Sequence, residues 1–199
     1  EEGIKRGMYL FEKDEKATVQ LMGSGVILRE VIKAAKILRD EYQIHSNVWS
    51  VTSFNELARD GMACEEYNRL HPVAEDVKES WVSQQLRGTQ GIVVSATDHM
   101  RAYSEQIRAY LPDGRPFVAL GTDGFGRSDT RANLRSYFGV DAAHIVVATL
   151  KKLADEGEVD ARLVKDAISN FELDTDRPVA WAPQAHPELH AVADYKEEN

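Results

Sequence analysis

Residues Thr18–Asp40 read TVQLMGSGVILREVIKAAKILRD. Ala17–Met22 alternates and then runs apolar, as a strand buried on both faces does. Gly23-Ser24-Gly25 breaks the run. Ile27, Leu28, Val31, Ala34, Ala35 and Leu38 then recur at the three-and-four spacing of one helical face. Strand, glycine turn and amphipathic helix together are the opening of a βαβ unit.

The same alternation continues outward. Gly7–Glu12 reads as a short edge strand and Val48–Val51 as a second buried strand. Thr52 or Ser53 then serves as a helix cap. Asn55–Leu70 is polar and helix-compatible, with Gly61 expected to interrupt it and Pro72 to stop what precedes it. Ser80–Leu86 is a short helix and Gly91–Ser95 a third strand. Asp98 is placed to cap a helix running to about Tyr110, and Pro112-Asp113-Gly114 is a turn. Phe117–Leu120 is a fourth strand. Asp129 is placed to cap a helix over Thr130–Phe138, with Gly139 as its C-terminal cap. Asp141 and Asp160 start two further helices. Strands alternating with helices predict an α/β fold: a three-layer, Rossmann-like, mainly parallel sheet with helices on both faces. From about Asp174 the chain is rich in proline and acid, and reads as an extended or disordered tail.

Composition narrows the function. The chain has 199 residues, a net charge of −9 and dispersed acids, which repel phosphate backbones, so nucleic acid is not an expected ligand. Its single cysteine, Cys64, cannot form an internal disulfide and fits a reducing cytoplasm. No apolar run reaches the length of a membrane span, so no membrane is expected. The N-terminus carries no signal-peptide layout. It also carries no initiator methionine, so the chain is expected to begin inside a longer polypeptide or at an expression boundary.

Gly23-Ser24-Gly25 invites a nucleotide reading, but two features oppose it. Leu28 stands where a dinucleotide fingerprint has its third small residue. Thr52 and Ser53 follow the second strand where an acid would hold the ribose. Ser24 is not a nucleophile elbow either, because Met22 and Val26 replace the flanking glycines. Cys64 reads as a partly buried inert thiol. His186 and His190 are four apart, yet Pro183 and Pro187 make a metal-binding helix there doubtful. His45 and His144 sit beside helix termini, and Asp98-His99 are adjacent rather than facing.

The most informative loop is LGTDGFGRSD, Leu120–Asp129. Gly121, Gly124 and Gly126 permit backbone angles that other residues avoid. They present Phe125 from a tight turn, and Asp123, Arg127 and Asp129 are placed to form a charged network around it. A substrate or phosphate loop is one reading. The other is a loop whose Phe125 plugs a neighbouring domain or subunit, and it is preferred because two acids oppose an anion. The candidate interface residues are therefore Asp123, Phe125, Gly126 and Arg127.

This loop also carries a resemblance. GTDGFGRSDTRANLRSYFGVDAAHIVVATLKKLADEG, Gly121–Gly157, resembles the C-terminal domain of transketolase-like, thiamine-diphosphate-dependent enzymes, with an Asp, then Phe-Gly-x-Ser, then a helix ending in Phe-Gly. VWSVTSFNELARDG, Val48–Gly61, and EEGIKRGMYLF, Glu1–Phe11, resemble more narrowly the homodimeric bacterial pyruvate dehydrogenases. The likeness covers Glu1 to about Phe171. It implies a lead-in over 1–16, the transketolase C-terminal-like domain over 17–171, and a tail over 172–199. It also implies a parent that decarboxylates pyruvate on thiamine diphosphate with magnesium and passes the acetyl unit to a lipoyl group of an acetyltransferase component.

The implied partners are the preceding thiamine-binding domains, a second subunit of a homodimer and that acetyltransferase. The cofactor motif itself is missing: Thr122-Asp123-Gly124 is the nearest match, and Asn133 follows too closely. No catalytic, cofactor or metal residue is carried over. Rival readings are a binding module for a complex component or small effector, and the same domain from a transketolase or another 2-oxoacid dehydrogenase. A free-standing nucleotide-binding protein is the weakest rival.

Overall fold

The computed structural model describes residues 1–73, 75–176 and 180. The His186–His190 pair and nearly all of the expected tail lie outside the described residues. In chain order the elements are α1 (Glu2–Arg6), β1 (Met8–Glu12), β2 (Val19–Ser24), α2 (Leu28–Tyr42), β3 (Ser46–Val51), α3 (Phe54–Leu70), α4 (Trp81–Leu86), β4 (Ile92–Ala96), α5 (Arg101–Glu105), β5 (Phe117–Leu120), α6 (Arg131–Phe138), α7 (Ala142–Asp155) and α8 (Ala161–Asn170). The sheet order is β1-β3-β2-β4-β5. β3, β2, β4 and β5 are mutually parallel, and β1 closes the β3 edge antiparallel. This is the expected mainly parallel α/β architecture.

The side-chain alternation of the strands divides the interior into two cores. Leu21, Val48, Ile92 and Val94 face the layer of α2, α7 and α8, where Val31, Ala34, Leu38, Ile145 and Leu150 meet them. Met22, Trp49, Val51, Val93 and Phe117 face the opposite layer, with Phe54, Leu57, Val82 and Ile107. Each fully buried Leu or Ile here contributes about 1.5–3 kcal/mol of transfer free energy. Gln20 is fully buried within this apolar sheet. It survives there because its amide donates to the Gln90 carbonyl and its oxygen accepts from Asn47 Nδ2 and Trp49 Nε1.

Four local expectations are corrected. Gly61 does not interrupt α3. It is the buried site where the helix passes Tyr110, whose ring lies 2.4 Å from where a Cβ would stand. Asp98 does not cap α5; Met100 occupies that position, and the helix ends at Glu105 rather than near Tyr110. α6 is capped by Thr130, not Asp129, and starts one residue later than expected. The first turn after β2 is a 3₁₀ turn, Gly25–Ile27, so α2 proper begins at Leu28.

The antiparallel β1 has a topological result. Met8 pairs with Val51, so β1 begins at the carboxyl end of the parallel strands. Thr52 Oγ1 donates to the Ile4 carbonyl and holds α1 at that same end.

Candidate functional site

The helices that follow β2 and β4 lie on opposite faces of the sheet, which makes the carboxyl ends of these neighbouring strands a topological switch point, the usual ligand crevice of such folds. The groups there are already engaged. Ser53 Oγ accepts from the Glu56 N–H and caps α3. Thr52, where a ribose acid would stand, holds Ile4. The Asp98 carboxylate lies 3.5 Å from where a Cβ at Gly25 would be, which sets a negative charge where a phosphate would bind. The close helix–strand packing that a third fingerprint glycine provides is supplied differently. A Cβ on Gly23 would lie 2.7 Å from the Leu28 Cα, so the small residue is on the strand and the large one on the helix. Gly23-Ser24-Gly25 is a packing turn.

The 121–130 loop is stitched to the turn after β4. The Thr122 N–H donates to the His99 carbonyl at 2.9 Å, and Thr122 Oγ1 donates to the Asp98 carbonyl at 2.7 Å. Arg101 donates to the Asp123 carboxylate twice, from its backbone N–H at 3.3 Å and from Nε at 2.6 Å. Gly121 permits the approach, since a Cβ there would lie 2.6 Å from the His99 carbonyl oxygen. Gly124 then turns with φ of 105°, and Phe125 follows, 91% exposed. Gly126 has neither a positive φ nor a close neighbour that would demand glycine.

Among the described residues, Asp123, Arg127 and Asp129 do not pair with one another around Phe125 as expected. Asp123 turns inward to Arg101. The Arg127 guanidinium sits 4.3 Å from the centroid of the Tyr137 ring. Asp129 accepts from the Thr130 N–H and Asn133 Nδ2 at the start of α6. Phe125 therefore projects from a loop braced on both sides. Val26 and Met100, which follow β2 and β4, are about half exposed at this same end of the sheet.

Two residues that sequence reasoning passed over fix this end. The buried Glu30 carboxylate accepts from Arg135 Nη1 at 2.9 Å and from the Ala142 N–H at 3.3 Å. It thereby ties α2 to α6 and to the first turn of α7. A charged residue on the buried stripe of α2 is the one signal that could have pointed to it.

The other chemistry-bearing residues are structural. His45 contacts Asp14 at 2.6 Å, His144 contacts Asp141 at 2.6 Å, and His71 stacks on Tyr67. Asp98 and His99 approach only to 4.0 Å. Burial, with Asp60 nearby, pushes the Cys64 thiol up from its ordinary range, opposite to what a nucleophile needs. Among the described residues no group of three or more His, Cys, Asp or Glu side chains is arranged to hold a metal ion. No helix of the described residues is long and apolar enough to cross a membrane.

A family model described as the transketolase-like TK C-terminal domain matches residues 7–141, which contain all five strands and the Phe125 loop. The chain belongs to this family.

Its relatives are pyruvate dehydrogenase E1 components. That of Pseudomonas aeruginosa is 50% identical over 180 residues, covering 89% of this chain and 20% of the relative. That of Escherichia coli K12 is 49% identical over 179 residues, with the same coverage. The chain thus spans about a fifth of the length of these relatives. A solved transketolase from Pichia stipitis matches with a TM-score of 0.53 at 17% identity, over 78% of this chain and 19% of that one, and shows the fold alone.

Thiamine diphosphate, the cofactor implied by the resemblance, does not fit the groups present in this transketolase-like C-terminal domain. Asp123, the nearest match to a metal-holding motif, is committed to Arg101, and Asp98 opposes a diphosphate at the switch point.

Proposed function

We propose that this chain is the C-terminal domain of a pyruvate dehydrogenase E1-type polypeptide and that its work is structural. It packs on the preceding thiamine-binding domains, contributes to the contact between the two subunits of a homodimer and supports the entrance of the active site. Residues 1–16 lead in and supply the edge strand, 17–171 form the body, and 172–199 follow as a tail. The parent is a cytoplasmic enzyme that decarboxylates pyruvate on thiamine diphosphate and magnesium held elsewhere in the polypeptide. It transfers the acetyl unit to a lipoyl group on an acetyltransferase component. Asp123, Phe125, Gly126 and Arg127 form the interface, with Asp123 acting through the loop it anchors.

The observation that carries this reading is Phe125. A large aromatic, 91% exposed on a loop held by Asp123 and Thr122, is what a docking anchor looks like before its partner arrives. The purified chain, supplied with pyruvate, thiamine diphosphate and magnesium, is expected to show no decarboxylation. Thiamine-dependent turnover would overturn the reading. In the full-length polypeptide, Phe125→Ala is expected to raise the dimer dissociation constant in sedimentation experiments.

A further inference from the structure

Phe125 stands at the mouth of a groove that it does not enter. The groove, about 530 Å³, lies between the turn after β2 and helix α6. Val26, Ile27, Leu134, Phe138 and Val140 give it an apolar lining. Gly124 and Gly126, on either side of Phe125, belong to its edge, while the ring itself stays exposed. A projecting aromatic and an apolar recess therefore share one face of the domain.

The charges of this face do not select a partner of one sign. Arg135 is met by the buried Glu30, and Arg127 lies against Tyr137. The remaining charged residues of the lining, Arg131 and Asp98, are both exposed and opposite in sign. Arg131 belongs to the α6 wall, and the Asp98 carboxylate to the opposite wall, beside Gly25.

We infer that the groove receives Phe125 of a second copy of this chain, each subunit inserting its ring into the other. Identical subunits that meet about a two-fold axis use the same patch on both sides, so that patch must carry projection and recess together. This face carries both. The same axis brings Arg131 of each subunit to Asp98 of the other, which turns charges on opposite walls into two equivalent ion pairs. A foreign partner would require only the ring or only the recess. An aromatic anchor seated in a pocket, with charges at the rim, is the usual anatomy of a specific contact. The inference rests on the reading of this domain as a homodimer contact, and it names the surface that the exposed ring enters.

The test uses the full-length polypeptide and two charge reversals, Asp98→Lys and Arg131→Asp. Each alone sets like charges together at both junctions of its own homodimer. Each is expected to raise the dimer dissociation constant about tenfold at low ionic strength, with the difference shrinking as salt is added. Mixed and allowed to exchange subunits, the two variants form a heterodimer with opposite charges at both junctions. One junction keeps Arg131 against Asp98, and the other sets the new lysine against the new aspartate. The mixture is therefore expected to associate as tightly as the unchanged protein. No recovery on mixing would overturn the inference, because a pair within one subunit is not restored by exchange.

A photoreactive benzoylphenylalanine at position 125 gives a second reading. In dimers of one isotope-labelled and one unlabelled subunit, it is expected to join the loop of one to residues 25–27 or 131–140 of the other. Attachment to its own subunit, to a segment outside this domain, or to nothing would overturn the inference. The reading beneath it is scored separately by Phe125→Ala. If that variant weakens the dimer while mixing recovers nothing, the interface stands and the reciprocal insertion falls. If Phe125→Ala is also without effect, both fall.

Discussion

Glu30 on α2 and Arg135 on α6 are joined carboxylate to guanidinium at 2.9 Å across 105 residues of sequence. The Glu30 side chain is only 7% exposed, so its charge is desolvated and must be met. Arg135, Lys33 and the Ala142 N–H meet it. Removing one partner of such a pair leaves an uncompensated buried charge or an empty polar site. Glu30→Ala is therefore expected to lower unfolding stability by about 3 kcal/mol, read from urea denaturation. Glu30→Ala with Arg135→Ala should lose less than the sum of the two single changes, since each already breaks the same contact.

Phe125→Ala should behave in the opposite way. The ring has almost no contact within the domain, so the midpoint of the isolated chain should move by no more than about 0.5 kcal/mol. In the assembled parent the same change should weaken association by about 2 kcal/mol or more if the ring is a buried anchor there. Equal effects on the isolated chain and on the assembly would argue against an interface role.

Gly23→Ala tests the packing turn. The added methyl would stand 2.7 Å from Leu28 Cα and 3.0 Å from a Val31 methyl, so α2 must move off the sheet. Overpacking of this kind destabilises by about 1–3 kcal/mol. Gly126→Ala in the neighbouring loop meets nothing within 4 Å and should be close to neutral. A differential scanning comparison of the two variants decides the point.

Cys64 should be slow to alkylate. Burial is the first cause of its raised thiol, and the Asp60 carboxylate adds to it. Fewer thiolates are present at any given pH than for a free cysteine, and the thiolate is the reactive form. The rate of iodoacetamide labelling of the folded chain should therefore lie below that of the urea-unfolded chain at pH 8. The rate should still be climbing with pH where a free thiol has levelled off. An early plateau would refute the assignment.

Asp14 carries a pH dependence of known sign. The hydrogen bond with His45, then that from the Lys16 N–H, holds its carboxyl below the ordinary 3.8. A depressed carboxylate contributes its stabilisation above the unfolded value and loses it as pH falls through the folded one. The loss therefore belongs below pH 3.8. The carboxyl carbon of Asp14, followed by NMR, should titrate in that acid range, and His45→Ala should move it upward.

The strand and helix periods of Ala17–Leu38 were legible because each side chain there answers to its own element. Apolar residues at the right spacing bury themselves whatever the distant chain does. Gly61 was misread for the complementary reason. Glycine in a helix is a weak breaker, and only the position of Tyr110, far away in sequence, shows that a small residue is needed there. Gln20 and Glu30 were passed over because polar residues read as solvent-facing until their partners are known. The glycines of the Phe125 loop point to a tight turn presenting one ring, and the ring is exposed there; the bracing by Thr122 and Asp123 was not legible. Its charges were grouped wrongly, because residues close in sequence were taken to be partners. Asp123 found Arg101, 22 residues away, instead.

The direction of β1 bears on how firmly this domain would have to grip its neighbours in the proposed longer polypeptide. On that reading its start, beside Val51, places the point of attachment at the carboxyl end of the parallel strands, the end that also carries the Phe125 loop. A short tether there would hold the two surfaces at an effective concentration in the millimolar range, so contacts too weak to persist between separate molecules would suffice within one chain. Cut free and added back in solution, the domain should find its old partner only poorly, even with every contact residue intact.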